Sequence, residues 1–344
     1  MQITIRRPDD FHLHLRDGAR MKDALRFTAR VFGRAMIMPN LRPPVKNLQD
    51  ALEYRMRILE ALPEGVNFLP LMSLYLRDET TVEEIREAAE SGIVIAAKLY
   101  PAGATTNSAS GVTKIESMAR VFEEMSRRGL PLMVHAEVTD PAVDIFDREK
   151  VFLERVLGPL VGAHPGLKVV LEHASTREAL SFVRESRSGI AATITVHHML
   201  LSRNDIFSGG LKPHHYCLPV VKTEEDRQAI VEAATSGDPR FFAGTDSAPH
   251  TRGAKECSGG AAGIFSAPAA ISLYAGIFDE VEALDRLEAF LSLNGAAFYG
   301  LSPNEESIRL DKVSVQIPEE LPFGGETVVP LWAGRDIQWT VSAP

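Results

Sequence analysis

Eight short apolar runs, each followed by a charge-rich or amphipathic stretch, constrain this chain more than any other feature. They are Asp10–Leu15, Arg34–Pro39, Asn67–Leu74, Ile93–Tyr100, Pro131–Ala136, Lys168–His173, Ile190–Val196 and Phe241–Gly244. Strand-length apolar segments alternating with helical patterns predict βα units and a mainly parallel sheet. Eight such units predict an α/β fold of the closed (β/α)8, or TIM, barrel kind. A doubly wound open sheet is the alternative, but no Gly-x-Gly-x-x-Gly follows the first strand to cradle a dinucleotide. Barrels of this kind reach 344 residues as one domain, so residues 1–344 are read as a single unit. The tail from Ile308 is expected to be a small extension packed beside the barrel.

Between the runs lie helix signals. Asn47–Ala61 sets Leu48, Leu52, Met56 and Leu59 on one expected apolar face. Thr80–Glu90 opens on a capping threonine followed by carboxylates, and Thr113–Arg128 ends on two arginines before Gly129. Thr176–Ser186 and Glu224–Ser236 follow the same logic. Two connections are long, Pro101–Val112 and Leu200–Lys222, and read either as lids and binding loops or as solvated connectors.

Composition narrows the function. The net charge is −9 and no Lys/Arg run occurs, so nucleic acid is not an expected partner. Two cysteines, Cys217 and Cys257, make no disulfide framework and fit a reducing compartment. The N-terminus has no signal-like apolar core, and no apolar run is long enough to cross a bilayer. The expectation is a soluble cytoplasmic protein without a membrane partner.

Chemistry-bearing residues fall at the ends of the apolar runs, where a barrel places its site. The first run holds His12-Leu-His14. On a strand, both imidazoles point to one side, with Phe11, Leu13 and Leu15 expected on the other. Two nitrogens so placed can share a metal ion, although a half-buried strand with water-facing histidines has the same pattern. Lys98 ends an otherwise apolar strand, either reaching out to water or standing neutral in the interior. His135 and His173 end the fifth and sixth runs. Asp246 follows the eighth and faces the first strand across the closing seam, as a ligand, a general base, both, or a turn former. Together these residues favour a metal site over core packing.

The constellation resembles the amidohydrolase superfamily. The segments His12-Leu-His-Leu-Arg-Asp-Gly18, Met38-Pro-Asn40, Lys98-Leu-Tyr-Pro101, Ala104-Thr-Thr-Asn107, Pro213–Pro219, Gly244–His250 and Asn294–Leu301 are similar to those of the bacterial, single-function dihydroorotase family, in order over nearly the whole chain. The resemblance implies reversible cyclisation of N-carbamoyl-L-aspartate to L-dihydroorotate in pyrimidine synthesis, by a homodimer. It implies two Zn2+ ions with a hydroxide between them, one ion held by His12, His14 and Asp246 and the other by His135 and His173. Lys98, carboxylated on its amine, would bridge both, and Asp246 would be the general acid/base. Arg16, Asn40 and His250 would clamp the substrate carboxylate. Backbone groups of Leu218 and Ala262 would meet the ring amide, and Thr105 and Thr106 would close over the ligand. Gly103 departs from the pattern, which has a larger polar residue there, and is expected to loosen its loop; Thr251–Gly260 also reads as variable. Alternatives are another cyclic-amide hydrolase, of the hydantoinase or allantoinase type, and a non-catalytic scaffold on the same fold.

Overall fold

A computed structural model describes residues 1–342. Eight strands form one parallel sheet in sequential order: β2 (Asp9–Leu13), β3 (Arg34–Ile37), β4 (Leu69–Tyr75), β5 (Val94–Leu99), β6 (Leu132–Val134), β7 (Val169–Leu171), β8 (Ile190–Ile194) and β9 (Phe241–Ala243). The ends of β2 and β9 meet: Asp246 N donates to the His12 carbonyl (2.9 Å) and His14 N to that of Ser247 (3.2 Å), closing a (β/α)8 barrel. Each expected run overlaps one strand, although β2 begins one residue early at Asp9 and β4 runs one residue further to Tyr75, and most ladders stop short of the expected C-terminal end. Backbone at that rim turns away from the sheet. Arg16, His173 and Asp246 all adopt positive φ there, a conformation costly for side-chain-bearing residues and concentrated at functional sites.

Strict alternation fails at one place in β2. Phe11 does not share a face with Leu13 and Leu15. It packs inside the barrel with Met36, Leu71, Met133 and Phe242, whereas Leu13 and Leu15 join the outer core under the helices. The cause is an extra residue: Asp10 pairs with Ala35 but Leu13 with Ile37, a bulge that reorients the side chains between them. Phe11 thereby plugs the barrel floor, stacked on Tyr299 at 5.0 Å between centroids. Helix Asn294–Tyr299 reaches this ring through Gly295, where a Cβ would lie 2.2 Å from a Phe11 carbon.

The helices obey their caps. Asn47 accepts from Asp50 N at the start of Leu48–Glu60, Thr81 and Glu84 form a reciprocal capping box on Val82–Glu90, and Gly129 ends Ala119–Arg128 at φ 67°. Thr176 caps Arg177–Glu185 and Thr223 caps Glu224–Thr235. The buried face of Leu48–Glu60 is Ala51, Tyr54 and Ile58, while Met56 and Leu59 are exposed, contrary to expectation. Tyr54 explains the rotation: its hydroxyl donates to the Arg16 carbonyl at 2.6 Å, which turns that side inward.

The sequence reading passed over β1 (Gln2–Arg6). It pairs antiparallel with β10 (Ser307–Asp311), which also pairs with Thr340–Val341. The two ends of the chain thus form a small sheet beside the barrel, anchored by the buried Trp339, whose indole donates to Asp279 (3.1 Å). Among the described residues, no helix is long and apolar enough to cross a membrane.

Candidate active site

At the C-terminal rim the ends of β2, β5, β6, β7 and β9 bring their polar residues together. His12 and His14 approach to 3.2 Å between Nε2 atoms. Asp246 Oδ1 lies 3.3 Å from the first and 3.1 Å from the second. Beside them, His135 Nδ1 is 3.2 Å from His173 Nε2. The His12 and His173 rings, 5.1 Å apart, join the two groups. Lys98 is wholly buried between them, with Nζ 3.3 Å from Glu172 Oε2.

Charge is arranged to suit cation binding. Burial pushes His14 down to about 4 and His173 well below the ordinary histidine range, so both are neutral donors at pH 7. Burial lowers Lys98 too, against the attraction of Glu172 and Asp246, which favours loss of its proton. Burial works to raise Asp246, but the neighbouring His12 and His14 prevail and hold it well below the carboxylate range.

The residues fit a metal centre. Nitrogen and oxygen atoms of His12, His173 and Asp246 lie within 4.8 Å of one another in a buried setting. His173 Nδ1 and Lys98 Nζ have no well-formed hydrogen bond, an expensive state unless a ligand or a modification satisfies them. His135 Nε2 contacts Glu137 Oε2 at 2.8 Å, and Glu172 contacts His12 Nδ1. Such carboxylate partners fix which imidazole nitrogen faces a cation.

Above this floor is a cavity lined by every expected site residue except Lys98 and His250. His250 stands next to it, with Nε2 2.9 Å from Arg16 Nη2. Arg16 is further held by the Pro249 carbonyl, which accepts from its Nε at 3.0 Å. Burial lowers Arg16 to about 10, so it stays cationic, and burial together with Arg16 lowers His250 to about 3. The loop after β5 folds over the cavity. Asn40 donates its amide to the Thr106 carbonyl (3.0 Å), Asn107 returns a bond to the Asn40 carbonyl (2.9 Å), and Thr106 Oγ1 reaches the Ala262 carbonyl at 3.4 Å. Gly103 does not leave this loop unpinned. Its φ of +82° suits glycine, and its N–H donates to Ser108 O at 3.1 Å. Leu218 and Ala262 reach the cavity from two further segments.

The model of the Amidohydrolase family matches residues 9–312. The chain belongs to that family. Its relatives put it in the dihydroorotase branch. It is 58% identical over 340 residues to a dihydroorotase of Aromatoleum aromaticum, covering 98% of this chain and 99% of that one. The crystal structure of a Campylobacter jejuni dihydroorotase superposes with a TM-score of 0.91 at 35% identity, over 99% of this chain and 97% of that chain. That of a Saccharomyces cerevisiae dihydroorotase in complex with 5-fluoroorotic acid gives 0.90 at 33%, over 99% and 98%.

Several functional neighbours escaped the sequence reading. Asp10 is buried and accepts from Thr245 N (2.8 Å), Thr245 Oγ1 (2.6 Å) and His12 N (3.1 Å), tying the two strand ends that carry His12 and Asp246. Glu172 and Glu137 each sit within two residues of a site histidine, the one cue by which they could have been found. Lys255, in a stretch read as variable, is also buried. A second buried cluster brings together His197, His198 and Cys217. His198 Nε2 lies 3.1 Å from the Pro219 carbonyl and the Cys217 thiol donates to it at 3.2 Å, so both are engaged with the backbone.

Proposed function

We propose that this chain interconverts L-dihydroorotate and N-carbamoyl-L-aspartate, a step of pyrimidine synthesis, in the cytoplasm and as a homodimer. The observation that carries the reading is a buried histidine–aspartate–lysine cluster beside a guanidinium–imidazole–amide group at one cavity. The first suits metal-assisted attack on an amide, and the second suits a carboxylate. His12, His14 and Asp246 would hold one divalent ion and His135 and His173 another, both zinc, with Lys98 carboxylated to bridge them. Such ions supply Lewis-acid polarisation and acidify water when bound.

The chain's own residues do the rest. Arg16 presents its guanidinium fork to the ring carboxylate, His250 lines the clamp beside it and orients that guanidinium, and the Asn40 amide exchanges the Thr106 carbonyl for the ligand. Leu218 and Ala262 meet the ring amide through their backbones, while Thr105 and Thr106 cover the bound molecule and exclude water. In the hydrolytic direction Asp246, ionised at neutral pH, takes a proton from the water that adds to the ring carbonyl carbon. It delivers that proton to the amide nitrogen as the C–N bond breaks, and ring closure is the reverse.

The carboxylate clamp favours this ring over the uncharged rings of a hydantoinase-type reading. The retained ligand set speaks against a scaffold. Asp246→Asn, prepared with metal content matched to wild type, is expected to lower turnover of dihydroorotate by about 100-fold or more, the scale of a lost general acid/base. Near-normal turnover with metal retained would remove Asp246 from the role.

A further inference from the structure

Lys255 is only 2% exposed, yet among the described residues no carboxylate pairs with it. Its Nζ donates instead to two backbone carbonyls, Tyr216 O and Gly263 O, each at 2.7 Å. The same two segments are joined by Gly263 N donating to Tyr216 O at 3.0 Å. One segment leads to Leu218 and the other follows Ala262, and all three of Leu218, Ala262 and Gly263 line the cavity. Gly263 has φ +142°, and a Cβ there would lie 2.5 Å from the Ala248 carbonyl, so this backbone approaches its neighbours as only glycine can.

Burying an ammonium without a counter-ion costs several kcal/mol. Two carbonyls and the Tyr216 ring, whose centroid is 5.8 Å away, offset only part of that. A neutral donor would join the two segments at lower cost. The cation adds something a neutral donor lacks: a positive charge near enough to Arg16 that the guanidinium, after burial, helps to lower the affinity of Lys255 for its proton.

We propose that Lys255 is a positioning residue for the ring-binding wall: its ammonium clamps the Tyr216 and Gly263 carbonyls so that the backbone edges of Leu218 and Ala262 stand in register for the amide edge of an anionic cyclic ureide. The proposal rests on the functional reading above. Lys255 touches no reacting atom, so its loss weakens ring binding and leaves the chemical step nearly intact.

The test uses the full-length, metal-loaded protein with 5-fluoroorotic acid as the binding probe and L-dihydroorotate as the substrate. Lys255→Met is expected to raise the Kd of the probe and the KM of the substrate about tenfold, the equivalent of one well-placed hydrogen bond and a share of the charge. The value of kcat should change less than about threefold and metal content not at all. Lys255→Gln, which retains N–H donors without the charge, should fall between. Equal loss in kcat and kcat/KM, or binding within twofold of wild type in either folded variant, would overturn the proposal. If neither variant folds, hydrogen exchange on the wild type decides: the probe should slow exchange in the segments around 216–222 and 261–265, and no slowing there refutes the wall. A wild-type protein that neither binds the probe nor turns over dihydroorotate would instead overturn the functional reading, and the clamp's ligand with it.

Discussion

One buried carboxylate braces the seam where the barrel closes, and its replacement gives a graded prediction. Asp10 receives three hydrogen bonds, from Thr245 N, Thr245 Oγ1 and His12 N. Asp10→Ala deletes all three and leaves two backbone N–H groups buried and unpaired. Each orphan costs about 1–3 kcal/mol, so about 3–5 kcal/mol of stability is expected to go. Asp10→Asn differs. Its amide can donate to Thr245 Oγ1, and that hydroxyl can then donate to the His12 carbonyl, already 3.3 Å away. The asparagine variant should therefore lose no more than about 1.5 kcal/mol. Urea unfolding of metal-stripped protein measures both. Because Asp246 N also bonds the His12 carbonyl, Asp10→Ala should in addition weaken metal binding at the proposed site in competition with a chromophoric chelator. Equal stabilities for the two variants, or an alanine variant within 1 kcal/mol of wild type, would refute the argument.

Three further outcomes follow from particular contacts. Gly295→Ala forces a methyl into Phe11 and should cost about 1–3 kcal/mol in the same unfolding assay. His197 is wholly buried without a hydrogen-bond partner, and burial lowers it from 6.5 to about 4. A base depressed in the fold contributes stability that is present above its unfolded value and lost as pH falls through the folded one. Between pH 7 and 5 this histidine should account for about 2 kcal/mol of lost stability, and urea unfolding of His197→Gln at both pH values should show a correspondingly shallower fall. Arg16→Met removes the fork facing the proposed carboxylate and should raise KM for dihydroorotate by about 100-fold or more in initial-rate assays, without loss of bound metal.

Much of this was legible in the chain because barrel strands are short, buried on both faces and bounded by helices, which leaves a repeated apolar signature. Each of the eight runs overlaps a strand, and the polar residue ending each of several runs lies at the rim because a buried strand tolerates such a group only where it opens to a site. What was not legible is mostly non-local. Phe11 changes face through a bulge that depends on its partner strand. The inward side of Leu48–Glu60 is chosen by Tyr54 reaching Arg16, since the helix carries two apolar stripes and sequence cannot rank them. β1 finds its partner some 300 residues away, with no local cue. Lys255 falls in a stretch that reads as variable; only burial marks it, and burial is a property of the fold.

A metal-assisted reaction on a carboxylated cyclic amide is the proposed activity. The most direct measurement is turnover of L-dihydroorotate by the zinc-loaded protein, beside hydantoin and allantoin under the same conditions. Strong preference for dihydroorotate is expected, abolished by chelation and restored by zinc. Turnover of hydantoin or allantoin with none of dihydroorotate would contradict the clamp formed by Arg16, Asn40 and His250, and no turnover of any ring with metal bound would contradict the catalytic reading altogether.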